Sequence, residues 1–182
     1  MEGIKHISNP RPTRRGGGAA ITLIEGEFTL TKLDIVIPKC LEVVWGLVRP
    51  RTPTIQFKGI IVCSFYLVPH STRKSQLVEH IALNYSELKV KHKNFFFLMG
   101  GDKNDLDTKK LLDISPALHM LNTKPTHSTK NIDVLITDMA HLYHESVILP
   151  SVPTDIPPGH QGGGQPSDQW RIGSMLQPKK PS

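Results

Sequence analysis

The clearest pattern in this sequence is an amphipathic segment between two apolar runs. Residues 60–65 form a nearly unbroken apolar run, which is typical of a strand buried on both faces. From residue 75 to residue 92 the apolar side chains recur at helical spacing, with Ser75 available as an N-cap. A second apolar run follows at residues 95–99. This succession predicts a strand–helix–strand unit whose two strands are parallel neighbours in one sheet.

The flanking segments are predicted to add further strands to this unit. Short β-type runs are expected at residues 19–37, 40–50 and 132–136. Within the first of them, three apolar residues alternate with their neighbours: Leu33, Ile35 and Ile37. A short helix is predicted at residues 108–113, before Pro116. The chain is therefore expected to be an α/β protein with a layered sheet.

The chain has 182 residues, which suffices for one domain with a substantial core. Residues 1–15 lack apolar periodicity and are expected to be loop or disordered, residues 16–172 to form the domain, and residues 173–182 to be a tail. The sequence contains no apolar run long enough for a membrane helix, and its first residues lack the apolar core of a signal peptide. We therefore expect an intracellular protein of the nucleus or cytoplasm that is neither secreted nor bound to a membrane.

Charge and cysteine content limit the partners and the kinds of site. The net charge of +6 and the pI near 9.4 favour polyanionic partners such as nucleic acid, although a solvated basic surface explains them equally well. Cys40 and Cys63 are the only cysteines, and each lies in an apolar run. They cannot build a disulfide framework or a CxxC metal site, so we expect buried free thiols.

Asp102 and Asn104 are the first candidate site residues, because they directly follow the predicted strand at residues 95–99. Ligands of open α/β folds collect at the carboxyl ends of parallel strands. A carboxylate can orient or deprotonate a water molecule, and an amide can donate to phosphate oxygens without adding charge. Turns also favour Gly, Asp and Asn, so these residues alone fit a plain turn as well.

Three more residues are candidates, each with an ordinary structural alternative. Asp133 lies in an apolar strand, where it either needs a partner or faces solvent at a sheet edge. Tyr66 could offer its hydroxyl to a phosphate, or simply bury its ring. Asp168 could orient a neighbouring group, or be a polar loop residue. The histidines do not show the HExxH spacing of zinc sites, and the Gly-rich stretches lack the P-loop and GxGxxG patterns.

The order of several short motifs resembles the endonuclease/exonuclease/phosphatase superfamily. The resemblance is strongest to the apurinic-type endonuclease domain of non-LTR (LINE-like) retrotransposons and spans residues 14–169. It rests on RRGGGAAI, LEVVWGLV, VCSFYLVPHS, MGGDKND, NIDVLITDM and PSDQ, in this order.

The resemblance implies a DNase I-like four-layer α/β/β/α sandwich, here incomplete, that hydrolyses phosphodiesters of DNA with Mg²⁺ and is linked in the parent element to a reverse transcriptase. By position in the matching motifs, Asp102 would orient or deprotonate the attacking water, and Asn104 would hydrogen-bond the scissile phosphate. Tyr66 would contact the phosphate or the leaving oxygen, and Asp133 would support the metal and phosphate site.

The chain departs from this family at several positions. Asp168 would orient the next residue, which is a histidine in the family but Gln169 here, and a neutral amide cannot supply the charge or the proton of a histidine. The family's first strands bring an asparagine and the principal metal-binding glutamate, but only fifteen residues precede the GGG motif here. Glu2 lies too close to GGG for that role, and Lys103 replaces an aromatic or apolar residue. We therefore expect a domain truncated at both ends, with impaired or absent nuclease activity, or a catalytically dead remnant with at most weak nucleic-acid binding.

Overall fold

The computed structural model of the protein describes residues 3–10, 18–24, 26–53, 57–122 and 132–142. These residues form strands β1 (Ile4–Pro10), β2 (Gly18–Ile24), β3 (Phe28–Lys32), β4 (Glu42–Pro50), β5 (Ile60–Tyr66), β6 (Phe96–Asp102), β7 (His119–Met120) and β8 (Asp133–Thr137), and helices α1 (Lys74–Lys91) and α2 (Thr108–Leu112). A 3₁₀ turn, Ala140–Leu142, follows β8. None of the helices in these ranges is long and apolar enough to cross a membrane.

Six strands form one mixed sheet in the order β3-β4-β5-β6-β8-β7. Strands β5 and β6 are parallel and α1 connects them, which confirms the predicted strand–helix–strand unit. The remaining neighbours in this sheet pair antiparallel. Strands β1 and β2 form a separate antiparallel pair.

The six-stranded sheet buries both of its faces because successive side chains of a strand point in opposite directions. One face packs against α1 in the largest core, where Trp45, Phe65 and Phe97 are fully or almost fully buried. Part of the other face packs against β1 and β2 through Ile7, Ile21 and other apolar residues. The described residues thus give a helix–sheet–sheet arrangement, which confirms the predicted sheet sandwich.

The prediction that residues 1–15 are loop or disordered is wrong for β1. The sequence of this strand does not alternate between apolar and polar residues, because most of its side chains face solvent and only Ile7 is buried. Its pairing with all seven residues of β2 holds it in place. The tail predicted at residues 173–182 lies outside the described residues.

Two smaller predictions also need correction. Leu33, Ile35 and Ile37 were predicted to lie in a β-type run, but β3 ends at Lys32. Their side chains pack against the main core without belonging to a strand. Helix α1 begins at Lys74, one residue before the predicted start, and its N-cap residue Arg73 makes no side-chain capping hydrogen bond. Ser75 is therefore inside the first turn and does not cap the helix.

Candidate phosphate-binding site

Polar side chains from four neighbouring strands form a row at one end of the six-stranded sheet. The register pairs Glu42 of β4 with Tyr66 of β5. It also pairs Tyr66 with Asp102 of β6, and Asp102 with Asp133 of β8. Because directly paired residues point to the same face of a sheet, these four side chains share one surface. The structure therefore brings together three of the predicted site residues.

The row lies on the sheet face turned away from α1. Residues two or four positions from the row on the same strand point to the same face. These residues are buried in the two smaller apolar clusters, which lie outside the core packed against α1: Val44, Val62, Leu98 and Leu135. Parallel strands β5 and β6 end at Tyr66 and Asp102, and their antiparallel neighbours start beside them. The site thus occupies the carboxyl end of the parallel pair, where the fold favours ligand binding.

Close packing of β5 against β6 fixes the position of Asp102. A Cβ atom at Gly101 would overlap the carbonyl oxygen of Phe65. The Leu67 N–H donates to the Asp102 carbonyl at 2.9 Å, so β6 stays close to the segment that follows Tyr66. Gly101 is therefore required by the close approach of two backbones.

The loop after β6 turns back on the Asp102 carboxylate. The Asn104 N–H donates to Oδ1 of Asp102 at 2.9 Å, and Asn104 has a left-handed backbone with φ of 47°. The Asn104 side-chain Nδ2 donates to the Leu67 carbonyl at 2.7 Å. This bond uses one of the two Nδ2 protons, and the amide stands beside Asp102 in a fixed orientation.

Burial raises the pKa of the Asp102 carboxyl above its usual value, and the nearby Asp133 carboxylate adds to this rise. The hydrogen bonds from Asn104 and the charge of Lys103 lower the pKa of Asp102 and so oppose the rise. A carboxylate with a raised pKa is a better proton acceptor at neutral pH than a solvent-exposed one. The arrangement can therefore hold a water molecule and polarise it.

Lys103 does not point away from the loop as a surface lysine would. The residue is buried, and its Nζ donates to the Leu106 carbonyl at 3.0 Å. Its backbone N–H donates to the Ile132 carbonyl at 2.8 Å, which ties the loop to the start of β8. Hydrogen bonds to carbonyl groups of its own loop therefore keep this lysine side chain inside the loop.

Asn122 positions Asp133, a role that no pattern in the sequence indicates. Its buried side chain donates from Nδ2 to the Asp133 carbonyl at 2.7 Å, and its Oδ1 accepts from the Leu135 N–H at 2.7 Å. The side-chain amide thus makes the same two kinds of hydrogen bond to β8 that a backbone N–H and C=O of a paired strand would make, and it extends the contact between β7 and β8. Asp133 is held at the end of β8 by both β6 and Asn122.

Sequence reasoning also missed Glu42 and Asn9. Glu42 is identified only by its register with Tyr66, because nothing in the apolar run that follows it marks it as a site residue. Asn9 lies on β1, and its Nδ2 donates to the Val43 carbonyl at 3.0 Å, one residue from Glu42. Asparagine is rare in strands, and this signal could have been noticed if residues 1–15 had not been interpreted as loop.

The metal that the resemblance implies can be tested against the donors present. In the described ranges, no group of three or more His, Cys, Asp or Glu side chains could hold a metal ion. The row contains three carboxylates of the type that Mg²⁺ prefers, those of Glu42, Asp102 and Asp133, but they do not form such a group. They do not amount to a complete protein site, so the described residues do not fit Mg²⁺ by themselves. Asp168 and Gln169 lie outside the described residues.

Comparison with known proteins links this geometry to a fold. No protein-family model matches the sequence, and no curated protein matches it. The human Nocturnin catalytic domain, solved with a bound sulfate anion, matches with a TM-score of 0.59 and 11% sequence identity, over 82% of this chain and 66% of that chain. An endonuclease/exonuclease/phosphatase family protein from Bacteroides thetaiotaomicron matches with a TM-score of 0.57 and 16% identity, over 81% of this chain and 64% of that chain.

A third match is a mannosyl-6-phosphatase from Bacteroides thetaiotaomicron, with a TM-score of 0.50 and 16% identity over 74% of this chain and 62% of that chain. The chain thus spans about two thirds of the length of these neighbours. Identities this low establish the fold alone. The protein has the mixed-sheet, DNase I-like fold found in structures of the endonuclease/exonuclease/phosphatase family.

Proposed function

We propose that this chain is a phosphodiester-binding domain derived from a retrotransposon endonuclease, acting on DNA, with impaired or absent hydrolysis. The observation that carries the proposal is the row from Tyr66 through Asp102 to Asp133, with Asn104 fixed beside it. A phenol, an amide and two carboxylates at the end of parallel strands suit a phosphate ester and its attacking water. Net charge of +6 adds attraction for a polyanion.

The proposed roles are those that the resemblance implies, and the chemistry of each group supports them. Asp102 orients or deprotonates the water, because its pKa is raised by burial and by Asp133. Asn104 donates to a phosphate oxygen, Tyr66 contacts the phosphate or the leaving oxygen, and Asn9 takes the place of the asparagine expected from the family's first strands. Asp133 supports the phosphate from β8.

Hydrolysis is proposed to be impaired for two reasons. The three carboxylates of the row do not form a group that could hold Mg²⁺ among the described residues. Gln169 follows Asp168 where the family has a histidine, and an amide cannot stabilise the transition state with a charge. Loss of one such electrostatic group costs roughly 3 kcal/mol or more of transition-state stabilisation, which is more than a hundredfold in rate.

The proposal is tested by measuring DNA nicking and DNA binding on the same preparation. With Mg²⁺ and supercoiled plasmid, we expect no nicking above background. The protein should still bind a labelled DNA duplex in a fluorescence anisotropy titration, and Asn104→Ala should weaken that binding about fivefold, the value of one hydrogen bond of about 1 kcal/mol.

Two results would change this conclusion. Robust nicking that disappears in Asp102→Ala would show a working nuclease and overturn the impairment. DNA binding that Asn104→Ala leaves unchanged would place the DNA elsewhere and refute the site. In that case the second candidate function, a dead remnant that binds nucleic acid weakly through its net charge of +6, would be favoured.

A further inference from the structure

Two loops meet at the mouth of the site and are joined by one carboxylate. The first loop, residues 67–73, connects β5 to α1, and the second, residues 103–107, connects β6 to α2. The Asp105 side chain accepts from the His70 N–H through Oδ1 at 3.3 Å. Its Oδ2 accepts from Lys74 Nζ at 2.6 Å and lies 3.6 Å from Nδ1 of His70. Asp105 therefore links the outer ends of both loops, and we call this set of contacts the Asp105 clasp.

The Asp105 clasp continues a ladder of bonds that begins inside the site. At the inner end, the Leu67 N–H donates to the Asp102 carbonyl at 2.9 Å, and Asn104 Nδ2 donates to the Leu67 carbonyl at 2.7 Å. At the outer end, Asp105 is the one residue of the second loop that contacts His70 and Lys74 among the hydrogen bonds of the described residues. These hydrogen bonds thus run from the backbone carbonyl of Asp102 to the exposed His70.

Left-handed backbone occurs on both sides of this junction. His70 has φ of 56° and Asn104 has φ of 47°. Such conformations cost a non-glycine residue on the order of 1 kcal/mol, and they persist only where surrounding contacts hold them. The clasp is the contact that faces both residues, because Asp105 directly follows Asn104 and bonds the N–H of His70.

The negative charge of Asp105 does not attract a phosphate group. A carboxylate next to Asn104 repels an anionic ligand, and Lys74 at 2.6 Å compensates only part of that repulsion at the partly exposed pair. The Lys74 hydrogen bond also lowers the pKa of Asp105, so this carboxyl is ionised at neutral pH. Its contacts, and not its charge toward a ligand, must explain any benefit to binding.

We propose that Asp105 is a positioning residue for DNA binding: the Asp105 clasp holds the Asn104 amide in place relative to Tyr66 and presents His70 at the mouth of the site. This inference rests on the proposed function, because it assigns Asp105 to the same DNA-phosphate site. Asp105 itself does not touch the DNA.

The test uses two substitutions with the same change of charge. Asp105→Asn removes the charge and leaves one acceptor oxygen for the contacts with the His70 N–H and Lys74, so it weakens the clasp. Asp107→Asn, two residues away, keeps its function because asparagine also caps a helix, as Asp107 caps α2 through Lys109 N–H. Each variant gains one positive charge, so nonspecific attraction to DNA predicts slightly tighter binding for both. Affinity for a labelled 20-base-pair duplex is measured by fluorescence anisotropy. We expect Asp107→Asn to bind as tightly as the wild type or tighter, and Asp105→Asn at least threefold more weakly.

Further variants separate positioning from a general loss of structure. Asp105→Glu keeps the carboxylate and should recover at least half of the lost affinity on a logarithmic scale. If Asp105→Asn fails to fold by circular dichroism, Lys74→Gln breaks the clasp from the other side, with Lys110→Gln as its charge control, and should lose more affinity than that control.

The possible outcomes are distinct. Equal affinities of Asp105→Asn and Asp107→Asn, or of Lys74→Gln and Lys110→Gln if that pair is used, overturn the clasp and leave the proposed function standing. If Asn104→Ala binds DNA as tightly as the wild type, the proposed site is refuted, and the proposed role of the Asp105 clasp is refuted with it. A selective loss in Asp105→Asn that Asp105→Glu reverses supports both.

Discussion

At the scale of single residues, Gly101 and Gly100 differ in how much room their surroundings leave for a side chain. A Cβ atom at Gly101 would overlap the backbone carbonyl of Phe65, and backbone cannot move aside without opening the β5–β6 pairing. A Cβ at Gly100 would lie 3.3 Å from Cδ1 of Leu135, the flexible end of a side chain. The two adjacent glycines therefore form a natural matched pair.

We predict that Gly101→Ala destabilises the protein by about 3 kcal/mol or more, and that Gly100→Ala costs about 1 kcal/mol or less. The measurement is urea unfolding of both variants, followed by DNA titration of whichever folds. Because Gly101 precedes Asp102, its replacement should weaken binding even where the fold survives. Equal unfolding midpoints for the two variants would show that the strands can separate at Gly101 without penalty.

Residues are predictable from sequence when the signal is local. Asp102 and Asn104 stand out because polar residues directly follow an apolar strand, and Asp133 because it opens another. Glu42 and Asp105 could not be identified in this way. Their roles come from strand register and from a contact between loops that are more than thirty residues apart in sequence. No periodicity within one segment records such contacts.

At the scale of secondary-structure elements, a buried histidine joins α1 to β4. Trp45 Nε1 of β4 donates to Nε2 of His80 at 3.3 Å, and Asn84 Nδ2 lies 3.3 Å from the other ring nitrogen. A neutral imidazole has one acceptor nitrogen, and with Nε2 in that role it accepts the Trp45 hydrogen bond. A protonated imidazole has only donors and would lose this bond. Burial also lowers the pKa of His80. The junction therefore requires neutral histidine.

The resulting pH dependence has a definite sign. The folded pKa of His80 lies below the unfolded value of about 6.5, so the unfolded state binds more protons and stability falls as the pH drops below about 7. Burial, with the charges of Lys91 and Arg49, also lowers the pKa of His92, which acts in the same direction. We predict a lower unfolding free energy at pH 5.5 than at pH 7.5, and a smaller difference in His80→Gln. Urea titrations at both pH values give the measurement, and an unchanged difference in His80→Gln would refute the role of His80.

Whether a segment forms a helix or a strand could be predicted from the sequence wherever that segment buries apolar side chains at regular spacing. Helix α1 and strands β5 and β6 were predicted within one to three residues, because their apolar side chains face a core. Strand β1 was missed because pairing with β2, and not burial, stabilises it. The alternation at Leu33, Ile35 and Ile37 predicted a strand, but these residues follow the end of β3 and their side chains pack against the main core outside any strand.

At the scale of the whole molecule, motif order predicted the fold because four of the motifs each contain one residue of the row at a strand end: LEVVWGLV, VCSFYLVPHS, MGGDKND and NIDVLITDM. The chain covers about two thirds of the length of neighbouring structures that share this fold. Among the described residues, the second sheet consists of β1 and β2 alone, and neither pairs with a third strand. Its outer surface also carries Ile4 and Ile24, paired in register and 71% and 63% exposed.

Open strand edges beside an exposed apolar pair favour association between copies of a protein. We predict concentration-dependent self-association, measured by size-exclusion chromatography with light scattering. Ile24→Lys should reduce it, because a charge at the sheet edge opposes edge-to-edge pairing. Leu83→Lys is the matched control: Leu83 is 59% exposed on α1, so this variant adds the same charge and removes a similar apolar surface away from the second sheet. Equal effects of the two variants would show that apolar exposure in general, and not the edge of β1 and β2, drives association.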